Sequence, residues 1–167
     1  MKKVLLLLAV ISGLSISSHA QSRRASKGIW SIGAEVGLPV GDASDFYSTV
    51  LGASLKYDIP VAQSTFFNVS AGYNAFMLKD RFKNRFTKSY GAIPLKAGLK
   101  YYADQRFFIE GQLGAAFGTN DGAGTSFVYA PGVGYTFAGG IEAGLRYEAW
   151  SNNGTLGQLG LRVAVNF

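Results

Sequence analysis

From Trp30 onward the chain alternates: Trp30, Ile32, Ala34, Val36 and Leu38 are apolar, whereas Ser31, Gly33, Glu35 and Gly37 between them are small or charged. Successive side chains of a strand point to opposite faces, so this pattern predicts a strand whose two faces meet different surroundings. The pattern returns over residues 51–59, 67–77, 93–101, 107–117, 127–137, 141–149 and 159–167. Each run is close to the roughly 9–11 residues that a tilted strand needs to cross a bilayer. No charge falls on the apolar face of these segments. The other face carries Glu35, Lys56, Asp58, Lys96, Lys100, Glu110, Glu142, Arg146, Glu148 and Arg162 among Gly, Ser, Asn and Ala. A water-soluble barrel puts bulky apolar residues inside and charges outside. Here the small and charged face suits a cramped interior and the aliphatic and aromatic face suits lipid. The expected fold is all-β, a closed antiparallel eight-stranded transmembrane up-and-down β-barrel over residues 29–167.

The links between runs support the same topology. Residues 60–64, 102–106 and 138–140 read as short turns, and residues 39–49, 79–88, 118–126 and 151–156 as longer loops, so short and long links are expected to alternate strictly. Aromatic residues gather near strand ends, with Tyr57, Phe67, Tyr101, Phe107 and Phe137 on the short-turn side and Phe117, Phe127 and Tyr147 on the other. Two such girdles are expected at the edges of a hydrocarbon slab.

The first residues are a separate unit. Lys2 and Lys3 precede an apolar run over residues 4–11, and small residues Ser18 and Ala20 stand three and one positions before Gln21. This is the layout of a secretory signal peptide over residues 1–20, leaving residues 21–28 as a short segment ahead of the barrel. Cleavage removes Lys2 and Lys3, and with them two units of the net charge of +6. The remaining excess is too small to argue for nucleic acid. It also removes His19, the one histidine, from a chain that has no cysteine. The commonest general base, the thiol nucleophile and the usual transition-metal ligands are then absent, so no catalytic centre, cofactor or metal is expected.

With this pattern the chain resembles the small outer-membrane β-barrel proteins of Gram-negative bacteria, the porin-like and opacity-type family. The likeness extends over the mature chain and is most specific in A-I-P-L-K-A-G-L-K-Y-Y, residues 92–102, and in the final strand L-G-L-R-V-A-V-N-F ending at Phe167. The resemblance implies an outer-membrane location in contact with membrane lipid and lipopolysaccharide; short turns of such barrels face the periplasm, so the link lengths place both termini there, and a monomer is expected. It also implies that Phe167 is the assembly signal read by the barrel-assembly machinery.

Two features of the residues bear on function. The ten inward charges are five acidic and five basic, which suits a neutral salt-bridged plug, with a narrow pathway for small hydrophobic or ionic solutes as the alternative. Counted from the strand ends, Glu35 and Arg162 lie at similar depth, so they are expected to pair across the seam between first and last strands, with Glu148 helping to balance Arg146 and Arg162. Ser54, a small lumen neighbour, is expected to accept polar replacements such as Asn. The second loop carries Lys79, Arg81, Lys83, Arg85 and Lys88 against Asp80. It reads either as a dock for phosphate groups of lipopolysaccharide or as a solvated loop.

Three weaker motifs complete the inventory. Trp150-Ser151-Asn152-Asn153-Gly154 is faintly similar to the end of the lipid A deacylase barrel, but Trp150 stands where that enzyme has its histidine, and a plain hairpin at Asn153-Gly154 is the simpler reading. The Gly-rich residues 118–126 lack the lysine of a phosphate loop. Asp42, Asp45 and Asp121 match no calcium loop. The sequence therefore points to a non-catalytic barrel with a structural or surface-interaction role, with a transport barrel and a degenerate lipid A-modifying enzyme as alternatives.

Overall fold

A computed structural model describes residues 27–79, 90–120 and 122–167. The strands are β1 (Ile29–Val40), β2 (Tyr47–Ala62), β3 (Thr65–Leu78), β4 (Tyr90–Tyr102), β5 (Phe107–Gly118), β6 (Thr125–Thr136), β7 (Ile141–Ser151) and β8 (Thr155–Asn166). Each pairs antiparallel with the next, and β8 returns to β1 to close the barrel. Closure leaves no strand edge with unpaired backbone groups, each of which would cost several kcal/mol in hydrocarbon. At the seam Glu35 lies opposite Arg162, within a register running from Ser31 opposite Asn166 to Val40 opposite Gly157.

The two faces fall out of the alternation as expected. Ile32, Leu55, Leu95, Leu113, Leu145 and Leu161 stand outward and exposed, while Lys56, Asp58, Lys96, Lys100, Glu142, Glu148 and Arg162 stand inward and buried. The girdle aromatics Phe67, Phe107 and Phe137 near one rim and Phe117 and Phe127 near the other are outward and exposed. Ala149 departs from the pattern. It lies on the outward stripe, opposite Tyr129 and Gly157, yet it is fully buried.

The inner face departs from expectation more substantially. It is not merely small and charged, because bulky apolar side chains fill both ends. At the loop end Val50, Phe76, Ala92, Ala116, Val128 and Trp150 form one cluster, with Tyr47, Tyr90 and Leu156 packed on it. At the turn end Phe66, Tyr102 and Phe108 form a second, with Ile29 against it. Edge-to-face contacts hold both together, at 5.0 Å between the rings of Phe76 and Trp150 and 5.6 Å between those of Phe66 and Tyr102. The charged residues lie between these two layers.

Several connections are shorter than the sequence suggests. The first loop holds a one-turn helix, α1 (Ala43–Phe46), and the flanking strands take in residues 39–40 and 47–49 of the stretch assigned to it. The β7–β8 link is only residues 152–154, with Asn153 at φ 50°, so the expected strict alternation of short and long links fails there. Asn153 takes the left-handed conformation that a tight hairpin requires, which lets both strands run on to the rim. At the β4–β5 turn the Asp104 carboxylate accepts the backbone N–H groups of Arg106 and Phe107, both at 2.6 Å, which holds that carboxyl below the usual carboxylate range. Gly98 and Gly114 leave no room for a side chain between β4 and β5. A Cβ on either would lie 2.0 Å from a backbone oxygen of the neighbouring strand, Gly111 and Leu95 respectively, so any side chain there forces the strands apart.

Candidate functional site

The interior charges form one connected network. Lys100, fully buried, donates to Asp58 at 2.6 Å and to Glu142 at 2.8 Å, with Glu110 at 3.9 Å. Lys56 reaches Glu110 and Glu142, each at 2.9 Å. Arg162 lies 3.5 Å from Glu142 Oε1, the oxygen that Lys56 also contacts, and 3.7 Å from Glu35. Arg146 bonds Glu35 at 2.5 Å and Glu148 at 3.0 Å, and Lys96 closes the chain on Glu148 at 2.6 Å. All ten predicted residues thus take part, drawn from every strand except β3 and β6. β3 contributes neutral partners: Asn68 donates to Glu110, and Gln112 of β5 donates to Asn68 and Ser70.

Why these strands carry the charges is a matter of space. The inward positions beside them are Gly33, Gly132 and Gly144, and a Cβ at Gly33 would meet the Arg162 guanidinium at 2.9 Å, while one at Gly132 would meet Arg146 Cβ at 2.8 Å. Long ionic side chains fit an eight-stranded lumen only where the neighbouring wall is bare. Two voids bordering the network measure about 20 and 10 Å³. Each is room for roughly one water molecule.

The seam pair is only part of what the sequence suggests. Glu35 and Arg162 are register partners, but their charged groups are held 3.7 Å apart, with the Ser54 hydroxyl between them, donating to Glu35 at 2.6 Å and accepting from Arg162 at 2.9 Å. The nearer cation to Glu35 is Arg146. The expected help from Glu148 is corrected as well. Glu148 lies opposite Gln158, four residues along β8 from Arg162, so it serves Arg146, Lys96 and the Trp150 indole, whereas Glu142 is the second carboxylate at Arg162. Ser54, expected to accept polar replacements, bridges two charged groups, so a replacement there has to supply both a donor and an acceptor. Double-mutant cycles on Glu35→Gln with Arg146→Gln and with Arg162→Gln, read by reversible urea unfolding in lipid vesicles, test this geometry. Both should be non-additive within the roughly 0.5–3 kcal/mol range of contacting residues, and the Arg146 coupling should be the larger. Equal couplings would contradict the wedged seam.

The remaining candidates separate. Trp150 points into the lumen, where its Nε1 donates to Glu148 at 2.7 Å, while Ser151 follows it in the strand and is exposed. Consecutive strand residues face opposite ways, so the two cannot act as a base and nucleophile. Among the described residues no group of His, Cys, Asp or Glu could hold a metal ion. Asp42 and Asp45 are exposed beside α1, and Asp121 lies outside the described residues. Of the basic loop, Lys79 is described, its backbone N–H bonded to the Phe46 carbonyl at 3.0 Å, and Arg81, Lys83, Arg85 and Lys88 lie outside the described residues. Phe167 follows β8 on its outward stripe, 72% exposed, with its backbone paired to Trp30 in both directions. What the sequence reading missed were the two apolar layers that cap the network.

No family model matches the chain, and no curated protein matches it. Solved structures do. The N-terminal β-barrel domain of OprF from Pseudomonas aeruginosa aligns with a TM-score of 0.60 at 14% identity, over 84% of this chain and 100% of that one. The fold is that of the small outer-membrane β-barrels. Ail, the attachment invasion locus protein of Yersinia pestis, aligns with a TM-score of 0.58 at 17% identity, covering 84% of this chain and 97% of Ail, which has also been solved with the heparin analogue sucrose octasulfate. The outer-membrane enzyme PagL aligns with a TM-score of 0.57 at 18% identity, over 81% of this chain and 98% of PagL. Catalytic and non-catalytic barrels therefore share this architecture, and chemistry has to be argued from the residues inside and at the rims.

Proposed function

We propose that the chain works in a bacterial outer membrane as a non-catalytic barrel with a sealed interior, both termini toward the periplasm, and a structural or surface-binding role carried by its loops. The observation that carries this reading is the lumen itself. One connected ion-pair network lies between two apolar layers, and the voids beside it measure only about 20 and 10 Å³, which supports a lumen too filled to pass a solute. A mature chain with no cysteine or histidine offers no ordinary nucleophile and base pair, which argues against lipid-modifying chemistry. With transport and catalysis disfavoured, the rims remain.

The second loop, with Lys79, Arg81, Lys83, Arg85 and Lys88, has the chemistry to hold phosphate groups of lipopolysaccharide or another polyanion. That Ail, of the same fold, has been solved with a sulfated sugar analogue supports this chemistry as one the architecture can carry. Phe167, exposed beyond β8, suits recognition by the assembly machinery during insertion, and the barrel is read as a monomer. Planar-bilayer recording of the refolded protein tests the sealed interior. The expected trace is that of bare lipid, and steady unitary conductance steps would overturn the reading in favour of transport.

A further inference from the structure

The outward face is not uniformly bulky. Trp30, Tyr57, Val69, Ala97 and Leu113 face one another in register around the wall, and Leu55, Ala71 and Leu95 form the next row toward the loop end. Ala71 and Ala97 are therefore small residues among large ones, and they floor a groove of about 540 Å³ on the outside of β1–β5. Leu55, Leu95 and Leu113 form its sides. Trp30 and Tyr57 stand at its turn-side end, stacked with ring centroids 4.5 Å apart. Ser70 and Lys96 contribute to the floor, but their polar ends turn inward to Gln112 and Glu148.

The occupant follows from the medium and the size. The groove lies inside the apolar belt, so, resting on the membrane reading above, the molecules that meet it are lipid chains, and an unfilled trough would forfeit their dispersion contacts. Its volume falls within the roughly 300–1,000 Å³ typical of small-ligand sites. At the roughly 30 Å³ of a water-sized group, it holds on the order of 15–20 methylenes, one long acyl chain. The amphipathic rings at its turn-side end suit headgroup level. We propose that this groove binds one acyl chain of a phospholipid from the turn-side leaflet, as an ordered lipid at one per barrel.

The chain's own fluorescence reports on it. Trp30 borders the groove, and the other tryptophan, Trp150, is sealed in the lumen at 1% exposure. Delipidated protein refolded in detergent micelles is titrated with phosphatidylcholine bearing dibrominated chains. Quenching should saturate at one lipid per barrel, and native mass spectrometry should retain one lipid adduct. In Ala71→Leu/Ala97→Leu, whose added bulk fills the groove without touching the lumen, both signals should be lost while the heat-modifiable electrophoretic shift of a folded barrel persists. Quenching that only tracks lipid in the micelle, with the same adducts in both proteins, would overturn the proposal, as would a dimer without lipid that the double variant abolishes. Failure of the membrane reading looks different: neither protein would insert into vesicles at all.

Discussion

Replacing Lys100 with Met will lower the unfolding free energy of the barrel in lipid vesicles by about 3–5 kcal/mol. Lys100 is fully buried and sits 2.6 Å from Asp58, 2.8 Å from Glu142 and 3.9 Å from Glu110. Its ammonium also lies 4.6 Å from the centre of the Phe108 ring, so it ties the charged network to the turn-side apolar layer. Glu110 and Glu142 keep Lys56 as a second partner, but among the described residues Lys100 is the one cation of Asp58, whose other oxygen, Oδ1, already lacks a hydrogen-bond partner. A Met of similar length fills the space, so the loss reports stranded charge rather than a cavity. The same exchange at Arg106, exposed in the β4–β5 turn, should stay within roughly 0.5 kcal/mol. Reversible urea unfolding measures both, and a Lys100→Met cost below that of Arg106→Met would mean that water reaches the network.

The second large effect belongs to the outer face. Leu145 is 48% exposed near the middle of β7, between Val133 and Leu161 on the neighbouring strands. Val165 is equally outward, at 52%, but lies near the turn-side end of β8. An Arg facing lipid is costly at the midplane, about 2–4 kcal/mol, and nearly free close to the interface, about 0–1 kcal/mol. Leu145→Arg should therefore destabilise the barrel by the larger figure and Val165→Arg by the smaller, in the same vesicle titration. Indistinguishable costs would contradict a hydrocarbon belt.

Much of this architecture was legible because a strand's period of two forces every side chain to choose a face. The ten charges all choose the same one, and their interruption by Gly, Ser and Asn indicated a narrow interior. Depth counting brought Glu35 opposite Arg162, since closure fixes the seam. The apolar layers were hidden by doubled residues at strand ends. In Phe66-Phe67, Tyr101-Tyr102, Phe107-Phe108 and Ala149-Trp150 one member faces in and one out, and a phase taken from the majority assigns only the outward partner. Those doublets are the signal that could have revealed the caps. Contacts across the lumen, such as Lys56 on β2 with Glu142 on β7, depend on strand tilt and side-chain reach and leave no trace in spacing. The wedge of Ser54 between Glu35 and Arg162 is of the same kind.

A protein without cysteine allows the two faces and the seal to be read at adjacent positions. Val163 is outward and 47% exposed, and Ala164 is inward and 2% exposed. Single variants Val163→Cys and Ala164→Cys, refolded into vesicles, are to be challenged with a membrane-impermeant maleimide and with a lipid-dissolved one. Val163→Cys should react only with the lipid-dissolved reagent, and Ala164→Cys with neither until the barrel is unfolded in urea. Labelling of Ala164→Cys by the impermeant reagent in the folded barrel, or of Val163→Cys from water, would contradict a sealed barrel with lipid outside.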